Sequence, residues 1–184
     1  MSVLSENDYL GIPCDLRETN YKRMKEELSP KITMYTDGSS LGNPGPGGYG
    51  TLLLYGHHRK ELSAGFRLTT NNRMELMAVI VGLEALKRQN SEVTIYTDSR
   101  YVVDAVEKGW LFNWIKIRFK GKKNSDLWMR FYDIYRHHAV KFVWVKGHAE
   151  IPGNERCDQL AVAAANGSDR SEDEGFVKGK SILN

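Results

Sequence analysis

Residues 32–37 read ITMYTD and residues 93–98 read VTIYTD. Each is a short β-branched and aromatic run closed by an aspartate, which is the composition of a strand that ends at a turn. If the two strands run parallel in one sheet, Asp37 and Asp98 arrive at the same edge, where open α/β sheets gather their ligands. Working outward, YGTLLLY (49–55) and KELSAGFRL (60–68) read as two further strands that pair with the first as a meander. Asn71 can cap a helix running to about Lys87, because Leu76, Ile80 and Leu83, joined by Met77, Val79 and Leu86, recur at helical spacing. After the second YTD strand come a helical SRYVVDAVEKG (99–109), an aromatic and basic stretch, a helix around 126–137, the strand VKFVWV (140–145), a loop, and a helix around 155–165. The order βββαβα(α)αβα predicts an α/β domain with a five-stranded mixed sheet: three antiparallel strands, then parallel crossovers, with helices on both faces.

The chain of 184 residues is 41% hydrophobic and 27% charged, enough for one globular domain. Residues 1–30 are too short and too polar to fold alone and read as an extension. The domain itself occupies 31–166, and the polar, acidic tail 167–184 is expected to be loosely ordered. A formal charge of +3 puts the burden of any nucleic-acid reading on where the cations sit. Two cysteines, Cys14 and Cys157, make no disulfide framework, and no apolar run is long enough for a membrane span. The expectation is a soluble, monomeric, cytoplasmic protein.

Gly45–Gly50, GPGGYG, spells the dinucleotide fingerprint GxGxxG. That fingerprint works at a strand-to-helix turn, whereas this one leads into another strand, Pro44 and Pro46 lack N–H donors, and no GK[ST] follows. The stretch reads as a turn, and no organic cofactor is expected.

The carboxylates carry more. Glu75, in NNRMEL, opens the helix whose apolar stripe faces the sheet, and Asp158, in NERCDQLA, lies in the first turns of the last helix. Together with Asp37 and Asp98 they would repel one another and raise one another's pKa unless divalent cations neutralised them. An oxygen-only donor set favours Mg²⁺ or Mn²⁺ over Zn²⁺.

In YTDGSSLGNPGPGGYG, TTNNRMELMA, YTDSRYV, NSDLW and WVKGHAEIPGNERCDQLA, the segment from Ile32 to about Ala165 resembles type 1 ribonuclease H, close to the bacterial form. The resemblance implies two Mg²⁺ ions, with Mn²⁺ as a substitute, held by Asp37, Glu75, Asp98 and Asp158. It also implies cleavage of the RNA strand of an RNA·DNA hybrid, leaving 5′-phosphate and 3′-hydroxyl ends. By the same resemblance Asp37 bridges the ions, Glu75 and Asp98 favour the leaving-group side, Asp158 serves the ion that activates water, and His148 moves protons or helps product release. Gly38, Ser39, Asn43, Asn71 and Asn72 match positions that reach the minor groove and 2′-hydroxyls, and Thr70 and Asn124 match a pocket for a DNA-strand phosphate.

Between Glu107 and Asp126 there is no acid, while Lys116, Lys120, Lys122 and Lys123 accompany Trp110, Phe112, Trp114 and Phe119. This suits a nucleic-acid backbone and sugar surface, with the lysines and Trp114 favoured as binders and Phe119 left open. Three departures stand out: this basic segment is short, Arg100 stands where relatives carry glutamine or an apolar residue, and Ser40 stands where a cysteine is frequent. A transposase or integrase core would order its acids Asp, Asp, Glu. A hybrid-binding module without catalysis would tolerate loss of a metal ligand, and none is missing here.

Overall fold

A computed structural model describes residues 31–147 and 150–181. The extension 1–30 and His148 lie outside the described residues. Strands β1 (Lys31–Ser40), β2 (Gly45–Tyr55) and β3 (His58–Thr69) form the antiparallel meander. Helix α1 (Asn71–Glu84) leads to β4 (Glu92–Thr97), then α2 (Arg100–Glu107), α3 (Trp110–Lys116) and α4 (Ser125–Tyr135) lead to β5 (Ala139–Trp144), and α5 (Pro152–Asn166) follows. The sheet order is β5-β4-β1-β2-β3-β6, with β4 parallel to β1 and β5 parallel to β4.

The fifth-strand expectation is exceeded by one short element. Residues 167–184, expected to be loosely ordered, contain β6 (Arg170–Ser171), which pairs parallel with β3 at Gly65 and Phe66, and α6 (Glu174–Ser181). The physical reason lies in Arg73, whose side chain is 2% exposed. Its Nε and Nη2 donate to the two oxygens of Asp173 at 2.7 Å each, while Nη1 and Nη2 donate to those of Asp126 at 2.9 and 2.7 Å. Thr69 Oγ1 adds a 2.7 Å hydrogen bond to Asp173. The planar guanidinium fork can serve two carboxylates at once, and its burial requires that both be present. A partner 100 residues away leaves no local trace in a polar tail.

The two faces of the sheet are built differently. On one, Met34, Met74, Ile80, Val102, Trp128 and Phe131 belong to a continuous apolar core under α1, α2 and α4. Phe119, left open from sequence, is 7% exposed and belongs to this core. On the other face α5 lies almost backbone to backbone on the sheet. A Cβ at Gly50 would stand 2.1 Å from the carbonyl oxygen of Cys157, and one at Gly48 would stand 2.6 Å from that of Ala161. The GPGGYG stretch is therefore part of β2 itself, and two of its glycines, Gly48 and Gly50, make room for the helix, whereas Gly45 packs on Gly42 of the preceding loop and Gly47 on Thr69 and Ser39.

Helix α1 starts one residue earlier than a cap at Asn71 would allow. Thr70 occupies the cap position in extended conformation, and its side chain makes no capping bond. The cap comes from across the chain, where Asn43 Oδ1 accepts the Asn71 backbone N–H at 3.3 Å.

Replacing Asp173 by alanine leaves the Arg73 charge half-compensated in the interior. The expected cost is about 3–5 kcal/mol of unfolding free energy, read from urea denaturation with an unchanged slope.

Candidate active site

Register places the first two carboxylates. Thr36 pairs with Thr97 across the parallel β1–β4 ladder, so Asp37 and Asp98 follow on neighbouring strands at the same sheet edge. Below them Tyr35 and Tyr96 stack at 5.0 Å on the α5 side. Gly153 packs on the Tyr35 ring, where a Cβ would come within 2.5 Å of it. This contact, with the Gly50 approach, seats the start of α5 beside β1 and brings Asp158 to the edge.

Gly38 does the same for α1. A Cβ there would lie 2.2 Å from the Glu75 backbone nitrogen, so only glycine lets the first turn of α1 close on the end of β1. Glu75 is then held by side chains: Asn71 Nδ2 donates to Oε1 at 2.9 Å, and Ser99 Oγ donates to Oε2. Ser99 also caps α2, accepting from the Val102 backbone N–H at 3.3 Å. Around Asp98, Trp144 Nε1 donates to its carbonyl at 3.0 Å, and a Cβ at Gly147 would lie 2.7 Å from its carboxylate.

The result is a cleft of about 240 Å³ lined by all four predicted carboxylates, with Gly38, Asn71, Asn154 and Glu155. No arginine or lysine is among these lining residues. Burial first, then repulsion from Asp98, pushes the Asp37 carboxyl from 3.8 to about 8, against the Gly38 N–H hydrogen bond that favours its charge. Burial likewise raises Glu75 from 4.5 to about 7, the Ser99 hydrogen bond opposing and Asp98 adding. These are carboxylates short of positive charge.

Among the described residues no three such ligands converge tightly enough to hold a metal as they stand. Glu75 is turned toward Asn71 and Ser99, and unscreened acids do not close on one another. The donor set nonetheless fits a hard divalent cation: it is oxygen-only, anionic and partly buried, and a cation would offset the burial and the repulsion that raise both pKa values.

The other expected residues are dispersed. Ser39 lies next to the end of β1, paired with Gly48, and Asn43 caps α1. Thr70, Asn72 and Asn124 lie outside the cleft lining. Asn124 Nδ2 donates to the Tyr101 hydroxyl at 3.0 Å, and that hydroxyl also receives Trp128 Nε1 at 2.7 Å. Arg100 is exposed, its guanidinium 3.6 Å from the centre of the Trp144 ring. Lys116, Lys120, Lys122 and Lys123 are exposed beyond the cleft, with the Lys122 ammonium 5.6 Å from the ring of Trp114, which is half-buried against the core. Ser99, Asn154 and Gly147 were not singled out from sequence. The signal for Ser99 was its place directly after YTD, where a helix cap belongs.

Comparison with known proteins follows the same line. The model of the RNase H family matches residues 29–166. Ribonuclease H of Desulforamulus reducens is 61% identical over 140 residues, covering 73% of this chain and 87% of the relative. The crystal structure of LC9-RNase H1, a type 1 RNase H with the type 2 active-site motif, superposes with a TM-score of 0.69 at 34% identity, covering 82% of this chain and 81% of that one. LC11-RNase H1, solved in complex with an RNA/DNA hybrid, gives 0.58 at 27% identity, covering 73% of this chain and 96% of that one.

The raised carboxyls predict a pH dependence in the cation-free protein. Between the ordinary value of 3.8 and about 8 the unfolded chain has released the Asp37 proton that the folded chain retains. Stability therefore falls as pH rises through this window and levels off above it. Thermal unfolding in EDTA at about pH 5.5 and about pH 8.5 should show Asp37→Asn gaining on the wild type at the higher pH, and Mg²⁺ should narrow the gap.

Proposed function

The chain belongs to the ribonuclease H family, and from that membership and the four-carboxylate cleft we propose that it hydrolyses the RNA strand of RNA·DNA hybrids, leaving 5′-phosphate and 3′-hydroxyl ends. The observation that carries this reading is the gathering of Asp37, Glu75, Asp98 and Asp158 at one cleft. Two Mg²⁺ ions held by these four side chains would neutralise charge on the phosphorane, acidify the attacking water and stabilise the departing oxygen. Asp37, placed between Asp98 on the neighbouring strand and the start of α1, is the residue best situated to serve both ions. The Asn71 and Ser99 hydrogen bonds hold the carboxylate of Glu75 at the cleft in the cation-free protein, and binding an ion would draw it from these partners toward Asp37 and Asp98. His148 moves protons or assists product release, as an imidazole side chain can at neutral pH.

Selectivity for the RNA strand comes from Gly38, Ser39, Asn43, Asn71 and Asn72, whose amides, hydroxyl and backbone can engage a 2′-hydroxyl as donor and acceptor; deoxyribose offers neither. Thr70 and Asn124 grip a phosphate of the DNA strand. Lys116, Lys120, Lys122, Lys123 and Trp114 follow the backbone of the duplex, and Arg100 adds a phosphate contact from its seat on Trp144.

Purified protein, given end-labelled RNA·DNA hybrid, single-stranded RNA and duplex DNA, is expected to cut the RNA of the hybrid in Mg²⁺ and nothing in EDTA. Asp98→Asn should abolish cleavage. Equal cutting of single-stranded RNA, or full activity in the variant, would refute the reading. Replacing Lys122 and Lys123 together by alanine should weaken hybrid binding and lower the slope of log K against log salt by roughly two, measured by fluorescence anisotropy in Ca²⁺.

A further inference from the structure

Trp144 closes β5 opposite Thr97, the last residue of β4, and is 38% exposed at the edge where the carboxylates gather. Val145 donates its N–H to the Thr97 carbonyl at 3.0 Å, and the next carbonyl, that of Asp98, is held by the indole, whose Nε1 donates to it at 3.0 Å. The side chain thus continues the parallel ladder by one bond, to the peptide of Asp98. The face of the same ring receives Arg100, the exposed first residue of α2, whose guanidinium carbon lies 3.6 Å from the ring centre. Stacking occupies the flat face of a guanidinium and leaves its N–H edge to pair with two oxygens of a phosphate. Two residues of chain span at most about 7 Å, so the backbone of Arg100 stands beside whichever strand presents its phosphate to Asp98.

We propose that Trp144 is a positioning residue with two separable duties: its Nε1 fixes the Asp98 peptide, and its ring face holds Arg100 ready for a phosphate of the RNA strand adjoining the one that is cut. The inference rests on the hydrolytic reading above. Both duties fall to one side chain because indole offers a donor at its edge and a π-face across its plane. Phenylalanine would keep the face and lose the donor, and an aliphatic side chain would lose both. An arginine already stacked has less rotamer freedom to surrender when a phosphate arrives, so the seat raises affinity through preorganisation.

The test separates the two duties. Trp144→Phe should lower kcat on the hybrid about tenfold and shrink the Mg²⁺-induced rise in unfolding temperature of the substrate-free protein, while hybrid affinity, measured by fluorescence anisotropy in Ca²⁺, stays within about twofold. Arg100→Gln should raise Kd in the same assay about tenfold and lower the slope of log K against log salt by about one. In the Trp144→Leu background the arginine substitution should cost only about threefold in Kd, because the seat is already gone. A neutral methylphosphonate linkage placed at successive RNA-strand positions should remove the Arg100→Gln penalty at one of them. Full kcat with an unchanged Mg²⁺ response in Trp144→Phe overturns the inference. So does an equal cost of Arg100→Gln with and without Trp144, or a penalty that no neutral RNA linkage removes. If Trp144→Leu does not fold, Arg100→Lys takes its place: lysine keeps the charge without the flat fork, and a lysine variant that binds as tightly as wild type overturns the seat. A wild-type protein inert on the hybrid would overturn the hydrolytic reading and this inference together, whereas an active wild type matched by Trp144→Phe and Arg100→Gln would overturn this inference alone.

Discussion

The parallel ladder between β1 and β4 holds two like charges side by side, and much of the site is arranged around that juxtaposition. With Thr36 opposite Thr97, the next residue on each strand is an aspartate, and neither can retreat without breaking the register. The surrounding elements come close where side chains are missing: Gly38 admits α1, Gly50 and Gly153 admit α5, and Gly147 admits the loop that follows β5. Each glycine thus trades backbone freedom in the unfolded chain for a close approach that a methyl group would block. The acids cannot relax apart, so burial and mutual repulsion appear as raised proton affinities at Asp37 and Glu75.

A second cluster of buried charge, on the far side of α1, has the opposite character. Arg73 lies two residues before Glu75 on the same helix, and its guanidinium is matched by two bidentate carboxylates. Compensated charge there fixes the first turn of α1 from behind, while uncompensated charge at Glu75 faces the cleft. The rigid partner lets the reactive one be held at an unfavourable place, as functional sites commonly require. The C-terminal segment supplies half of that clamp through Asp173, so an element far from the cleft in sequence bears on the geometry of the cleft.

Much of the fold was legible because its signals are local. The two YTD runs, the alternating strands and the apolar stripe of α1 follow from spacing alone, and the boundaries differ by a few residues at most, as at Glu84 against the expected Lys87. The four carboxylates were legible because each sits at a strand end or a helix start, a position that sequence reading can assign. What escaped it was relational. GPGGYG read as a turn because the purpose of Gly48 and Gly50, room for α5, lies in a helix more than a hundred residues later. Ser99 read as part of a helix start, and its hold on Glu75 spans 24 residues. The tail read as loose because its order depends on Arg73.

The amino-acid sequence by itself determined the element order as far as α5, the α/β class, the family and the acids that meet at the sheet edge, since composition and short spacings carry these. Tertiary structure alone decided how close the elements come, which polar groups are matched and which are left exposed to the cleft. Charge compensation at Arg73 and proton affinity at Asp37 both depend on distances between segments far apart in the chain. Desolvation and Coulomb interactions act through space, so no local pattern of residues records them.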